Sequence, residues 1–180
     1  GDPGRDGLGV SDRTRMIAPF KDLEEDLRLV DESLRQILLR RGGAVQAAAQ
    51  LVFRGGGKRV RPALVLLSSR ILGTRPEGAI PLAAAAEMVH NASLLHDDVI
   101  DQTTLRRGQN TVNALYGNRY TVLLGDFLLT QAMEVLHDLG MLGLVRIVSS
   151  AVAEMTLGQI LELQHQGDLQ TSTQEYLRII

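Results

Sequence analysis

The apolar residues Phe20, Leu23, Leu27, Val30, Leu34, Ile37 and Leu38 recur at intervals of three and four. A strand sends successive side chains to opposite faces and cannot gather this set on one side. A helix of 3.6 residues per turn lines all of it up as one stripe. The spacing predicts an amphipathic helix over 19–41, and similar patterns continue along the chain. Gly42-Gly43 ends the first helix, an Ala-rich helix runs to Phe53, and Gly55-Gly56-Gly57 breaks the chain. Pro62 fits the first turn of a third helix reaching Ile71 or Leu72. After a loop over Gly73–Gly78, a buried helix is expected over 80–100, then a polar loop over 101–110. Helical patterns resume over 111–139, with Gly117 and Gly125 as irregularities, over 142–166, and again from Ser172.

Composition points the same way. Aromatic residues are 3% of the chain and there is no Trp, while Ala, Leu, Glu and Arg, all good helix formers, are abundant. An all-α fold follows. The 180 residues suffice for one domain with a buried core. Residues 1–15, with four glycines and no apolar period, read as a disordered or cloning-derived tail, with Met16 as a native start and 16–180 as the folded part. Lys and Arg number 19 against 21 Asp and Glu, a formal charge of −2 that speaks against nucleic acid as a partner. The absence of cysteine removes disulfides, zinc–thiolate sites and thiol catalysis, and fits a cytoplasmic location. The best candidate for a membrane-crossing run, 79–95, is interrupted by Glu87, His90 and Asn91, so no transmembrane segment is expected.

The segment from His90 to Asp101 carries the chemistry. On a helix Asp97 and Asp101 stack four residues apart, and His90 lies almost on the same line seven residues before Asp97. Asp97, Asp98 and Asp101 repel one another and meet the negative end of the helix dipole, strain that a cation relieves. Oxygen ligands without a cage suit Mg²⁺, which keeps waters and completes its shell with phosphates. The plain alternative is a solvated acidic helix end. Two basic clusters flank this stripe. Gly55-Gly56-Gly57-Lys58-Arg59-Val60-Arg61-Pro62 sets three cations behind a glycine loop at a helix N-terminus, and Arg106-Arg107-Gly108 follows the aspartates. The first cluster is not a Walker A loop, because Arg59 stands where Ser or Thr should be and Val52 where the first glycine should be. Together these groups describe a site for polyanions, most simply two diphosphates bridged by Mg²⁺.

GGKRVRP, LLHDDVIDQTTLRRG and YGNRYTVLLGDFLL resemble segments of the trans-isoprenyl diphosphate synthases, the polyprenyl synthetase family. The resemblance runs from about residue 20 to the last residue. It implies an antiparallel helical bundle of the isoprenoid synthase type around a central cavity, of which this chain is the N-terminal half. It also implies condensation of isopentenyl diphosphate with an allylic diphosphate using Mg²⁺. By position, Lys58, Arg61, His90 and Arg107 resemble the residues that hold isopentenyl diphosphate. Asp97 and Asp101 match the outer aspartates of DDxxD, the Mg²⁺ ligands, with Asp98 behind them. Arg106 resembles the arginine that clasps the allylic diphosphate; Gln159 and Glu162 match a Gln and an acidic residue facing the same metals. His96 points off the stripe and is expected to be a hydrogen-bonded packing residue.

Small residues, Ala92 and Ser93, occupy the positions where bulky aromatics stop chain growth in the family, with Met88 and Val89 one turn below. The implied product is of geranylgeranyl length or longer. Family members are about twice this length and carry a second aspartate-rich motif absent here. A half of this kind is expected to associate, as a homo-oligomer or with a chain supplying that motif. Two other readings compete. One is a non-catalytic or regulatory half-subunit that needs a partner. The other is a metal-dependent phosphohydrolase built on the His96-Asp97 and His137-Asp138 doublets.

Overall fold

A computed structural model describes residues 22–39, 43–54, 58–73 and 76–180. The expected tail over 1–15 and the Gly55–Gly57 break lie outside these residues. The chain divides into two compact units, Gly1–Val135 and Leu136–Ile180.

In the first unit, α1 (Glu24–Leu39) opens on Glu24, Glu25 and Asp26, acidic residues that favour a helix N-terminus. Its stripe Leu27, Val30, Leu34 and Leu38 is buried, as the spacing required. Next come α2 (Gly43–Arg54), α3 (Val60–Ile71) and α4 (Pro76–Ile100). The last is longer than its periodicity indicated, because Gly78 is helical rather than part of a loop and Pro81 is accommodated inside the helix. α4 is the central element, packed by α1, α3 and α5 (Val112–Tyr116). Ala79, Ala83, Ala84, Ala85, Met88, Ala92 and Leu95 are all buried along it. Small side chains let neighbouring helices approach α4 closely, which keeps its polar residues in fixed positions.

Gly117, at φ 82°, separates α5 from α6 (Asn118–Asp138), a conformation that glycine adopts without steric cost. The other expected irregularity is absent. Gly125 lies inside α6, where a Cβ would collide with the His96 ring. Glycine here serves the contact between α6 and α4 rather than a break in the helix. Ala92, Leu95, Val112, Leu124 and Leu128 close one apolar cluster with Leu38 and Ala48.

The second unit contains α7 (Leu142–His165) and α8 (Thr173–Ile179). Ser172 caps α8 reciprocally: its Oγ accepts from Glu175 N, while the Glu175 carboxylate accepts from Ser172 N. At Gly158 a Cβ would meet the Ile179 carbonyl oxygen at 2.5 Å, so α7 and α8 meet there at backbone distance. α7 corrects the search for membrane-crossing runs. By length and composition it, and not 79–95, is the helix among the described residues that could span a bilayer. Its apolar residues go round the whole helix instead of forming a stripe, and Leu142, Ile147, Leu157 and Leu163 are exposed.

Candidate active site

The loop after α4 is not irregular. Leu105–Arg106 (β1) pairs antiparallel with Gln109–Asn110 (β2), and Arg107-Gly108 is the two-residue connection. Both connecting residues have positive φ, 52° and 76°, the requirement of a type I′ turn. The Arg-Arg-Gly sequence is therefore a hairpin tip. Gly108 supplies the unstrained half of the turn, and Arg107 holds a left-handed conformation in order to carry its charge there. Two-residue strands pair poorly unaided, and this hairpin is tied to α4 instead. Arg106 donates from Nε and Nη2 to Asp98 Oδ1 at 3.0 and 2.7 Å. Asn113 Nδ2 donates to the Asp98 carbonyl at 3.1 Å. Thr111 donates its hydroxyl to the Thr103 carbonyl and contacts Asn113 Oδ1.

The three aspartates thus divide. Asp98 is buried and paired with Arg106. Asp97 is half-buried on α4, and Asp101, exposed, is the first residue past its end, where its N–H donates to the Asp97 carbonyl at 2.8 Å. No group of three or more His, Asp or Glu side chains among the described residues forms a ready-made metal cage. Asp97 and Asp101 are carboxylates, the oxygen-ligand type that suits an ion completing its shell with water and phosphate. His96 Nε2 lies 3.3 Å from both the Val122 carbonyl and Asp126, facing α6 as a packing histidine. It does not join Asp97 and Asp101 in a metal set.

His90, Arg106 and Arg107 line one cleft of about 120 Å³, together with Arg59, Glu87, Asp98, Thr111 and the apolar residues Leu94 and Leu95. Lys58 and Arg61 are exposed at the N-terminus of α3. Burial, together with the charge of Arg61 and further back those of Arg107 and Arg106, holds the His90 imidazole below the ordinary histidine range, with Glu87 opposing. His90 is therefore neutral at neutral pH and titrates only in acid. Because its folded pKa is depressed, the unfolded chain binds the extra proton first, and stability falls as pH drops below about 6.5. Melting temperatures of the unaltered chain and His90→Gln should agree at pH 7.5 and diverge progressively below pH 6.5, with the variant higher. Asp31 works against this trend. Burial raises its pKa, so acid removes an unfavourable charge there.

The four positions expected to set product length separate by face. Ala92 is 2% and Met88 0% exposed, both in the helix packing. Val89 and Ser93 are half-buried and precede Asp97 at successive intervals of four. Ser93 Oγ donates to the His90 carbonyl. In the second unit, Gln159 is half-buried and Glu162 exposed, three residues apart on α7. Sequence reasoning treated Glu87 only as an interruption in an apolar run, and counted Arg59 among three cations facing a phosphate. In the structure the two are a 2.7 Å ion pair in the wall of the cleft.

The chain spans about half the length of the curated relatives it matches. It is 41% identical over 161 residues to a prenyl transferase of Synechocystis, covering 88% of this chain and 50% of that protein. It is 38% identical over 147 residues to octaprenyl diphosphate synthase of Escherichia coli, covering 80% and 46%. Among solved structures, the decaprenyl diphosphate synthase of Rhodobacter capsulatus superposes with a TM-score of 0.82 at 33% identity, over 89% of this chain and 50% of that one. The Caulobacter crescentus polyprenyl synthase complexed with calcium and isoprenyl diphosphate superposes at 0.83, with 32% identity over 89% and 49%. The family described as Polyprenyl synthetase matches residues 43–180, and with these relatives it establishes that the chain belongs to the polyprenyl synthetase family, an all-α fold.

Proposed function

We propose that this chain carries one wall of a trans-polyprenyl diphosphate synthase site, which joins isopentenyl diphosphate head-to-tail (1′–4) to an allylic diphosphate. The observation that carries the reading is the cleft lined by His90, Arg106 and Arg107 near the end of the helix that carries Asp97 and leads into Asp101. Lys58, Arg61, Arg107 and neutral His90 hold the isopentenyl diphosphate. Arg106 keeps N–H donors beyond the two it gives to Asp98, and directs them at the allylic diphosphate. Asp97 and Asp101 would hold Mg²⁺. When bound, Mg²⁺ stabilises the negative charge of the departing diphosphate. The arginine donors act on that same charge, which is greatest in the transition state for breaking the allylic C–O bond. The double bond of isopentenyl diphosphate attacks the allylic carbon, and the proton then lost passes to the released diphosphate, so no side-chain base is required. The apolar wall at Leu94 and Leu95 keeps water from the cationic carbon.

The relatives named for octaprenyl, nonaprenyl and decaprenyl products support a product longer than geranylgeranyl. The exposed apolar residues of α7 and the half-length match support completion of the site by a chain segment carrying the second aspartate-rich motif. Family membership and the orientation of His96 set the phosphohydrolase reading aside.

The test is elongation with labelled isopentenyl diphosphate, farnesyl diphosphate and Mg²⁺, by the chain alone and with the other half of a relative added. Product on addition of that half supports the reading. Binding of isopentenyl diphosphate without product in either case favours the regulatory half-subunit, and absence of binding overturns both.

A further inference from the structure

Arg59 lies between Lys58 and Arg61 in sequence, yet its side chain is directed away from solvent. It is the residue before α3 and holds a left-handed backbone, φ 48° and ψ 35°, without being glycine. Such a conformation persists where the surroundings fix it. Here the guanidinium, 12% exposed, supplies the anchor. It meets Glu87 Oε1 of α4 at 2.7 Å and Asp31 Oδ1 of α1 at 3.0 Å, and donates to the Phe53 carbonyl at the end of α2 at 3.1 Å. One side chain therefore ties the entry of α3 to three other helices. Glu87, 7% exposed, lies three residues before His90 on α4, so the anchor point and a cleft residue share one rigid element.

We propose that Glu87 and Arg59, with Asp31 in support, are positioning residues for the isopentenyl diphosphate subsite: they fix the turn at 58–61 so that Lys58 and Arg61 face the bound diphosphate from constant positions. The inference rests on the reading of Lys58 and Arg61 given under Proposed function. Two physical effects support it. Anchoring the Arg59 side chain sets the backbone angles between Lys58 and Arg61 and removes the freedom that a glycine-flanked turn would otherwise have. The two carboxylates also neutralise the middle cation of the three. Lys58 and Arg61 then keep their charge for the ligand, and the buried guanidinium, in a cleft that Arg106 and Arg107 also line, does not go unpaired.

The experiment uses the 180-residue chain with Glu87→Gln, which preserves shape and removes the charge, and Asp31→Asn, whose half-exposed site tolerates the change. Two quantities are measured. Backbone hydrogen exchange across 58–63 is followed without ligand, and isopentenyl diphosphate binding is followed calorimetrically in EDTA. Leu128→Ala, in the apolar cluster and outside the ion pairs, controls for lost stability alone. Glu87→Gln should accelerate exchange at 58–63 relative to α6 and weaken binding about tenfold or more, with Asp31→Asn smaller in the same direction. Glu87→Asp should recover part of both, and Leu128→Ala should lower the melting temperature without the tenfold loss.

Unchanged affinity in Glu87→Gln overturns the proposal, whether or not exchange responds. So does an equal loss in Leu128→Ala. If the unaltered chain does not bind isopentenyl diphosphate, the subsite reading itself fails and the positioning role with it. Faster exchange at 58–63 in Glu87→Gln would then identify the clamp as purely structural.

Discussion

Asp97→Ala is expected to lower prenyl transfer by about a thousandfold or more, roughly 4 kcal/mol of transition-state stabilisation, in a synthase of the length its relatives have. The melting temperature should hold or rise slightly, because the change removes a negative charge from the negative end of α4. Asp98→Ala should behave differently. It removes the buried partner of Arg106 and frees the hairpin, so stability falls together with activity. Side-by-side melting curves and turnover rates make the distinction. Full activity in Asp97→Ala would overturn the metal assignment.

Ser93→Phe should shift the product distribution towards shorter prenyl chains while leaving the first condensation intact. Ser93 is half-buried four residues before Asp97, and on the proposed function a ring there narrows the space left for a growing chain. Ala92→Phe is the informative contrast. Ala92 packs with Leu38, Ala48, Leu124 and Leu128, so a phenyl ring there overfills the core and costs about 1–3 kcal/mol. Product sizing by chromatography beside thermal melts tests both variants. A product distribution unmoved by Ser93→Phe would show that chain length is set elsewhere.

What could be read from the sequence follows from the range of the forces involved. The stripe Leu27, Val30, Leu34 and Leu38 is a local signal, and α1 follows it. So is the Ser172–Glu175 capping pair. The placing of His90, Arg106 and Arg107 along one cleft agrees with the spacing of the basic residues around the acidic row, whereas Arg59 turns to Glu87. What could not be read depends on partners distant in the chain. Glu87 pairs with a residue 28 positions away, and nothing in an apolar helix indicates that its carboxylate has a cation to meet. Gly125 carries a helix-breaker signal, but its role depends on a histidine on another helix. The division of Ala92 and Ser93 between two environments likewise follows from which helices surround α4. The hairpin was a matter of turn chemistry: Arg-Gly is a weaker type I′ signal than Asn-Gly.

Both basic clusters contain an arginine held in left-handed geometry, Arg59 and Arg107. Glycine or asparagine would fit either backbone with less strain. At Arg107 backbone strain alone would favour those residues at the expense of the charge on the hairpin tip, whereas at Arg59 the same change would leave the buried Glu87 carboxylate unpaired and lower stability. One backbone conformation is thus kept on two different terms: for the charge it displays at the hairpin tip, and for the ion pair it completes at the entry of α3.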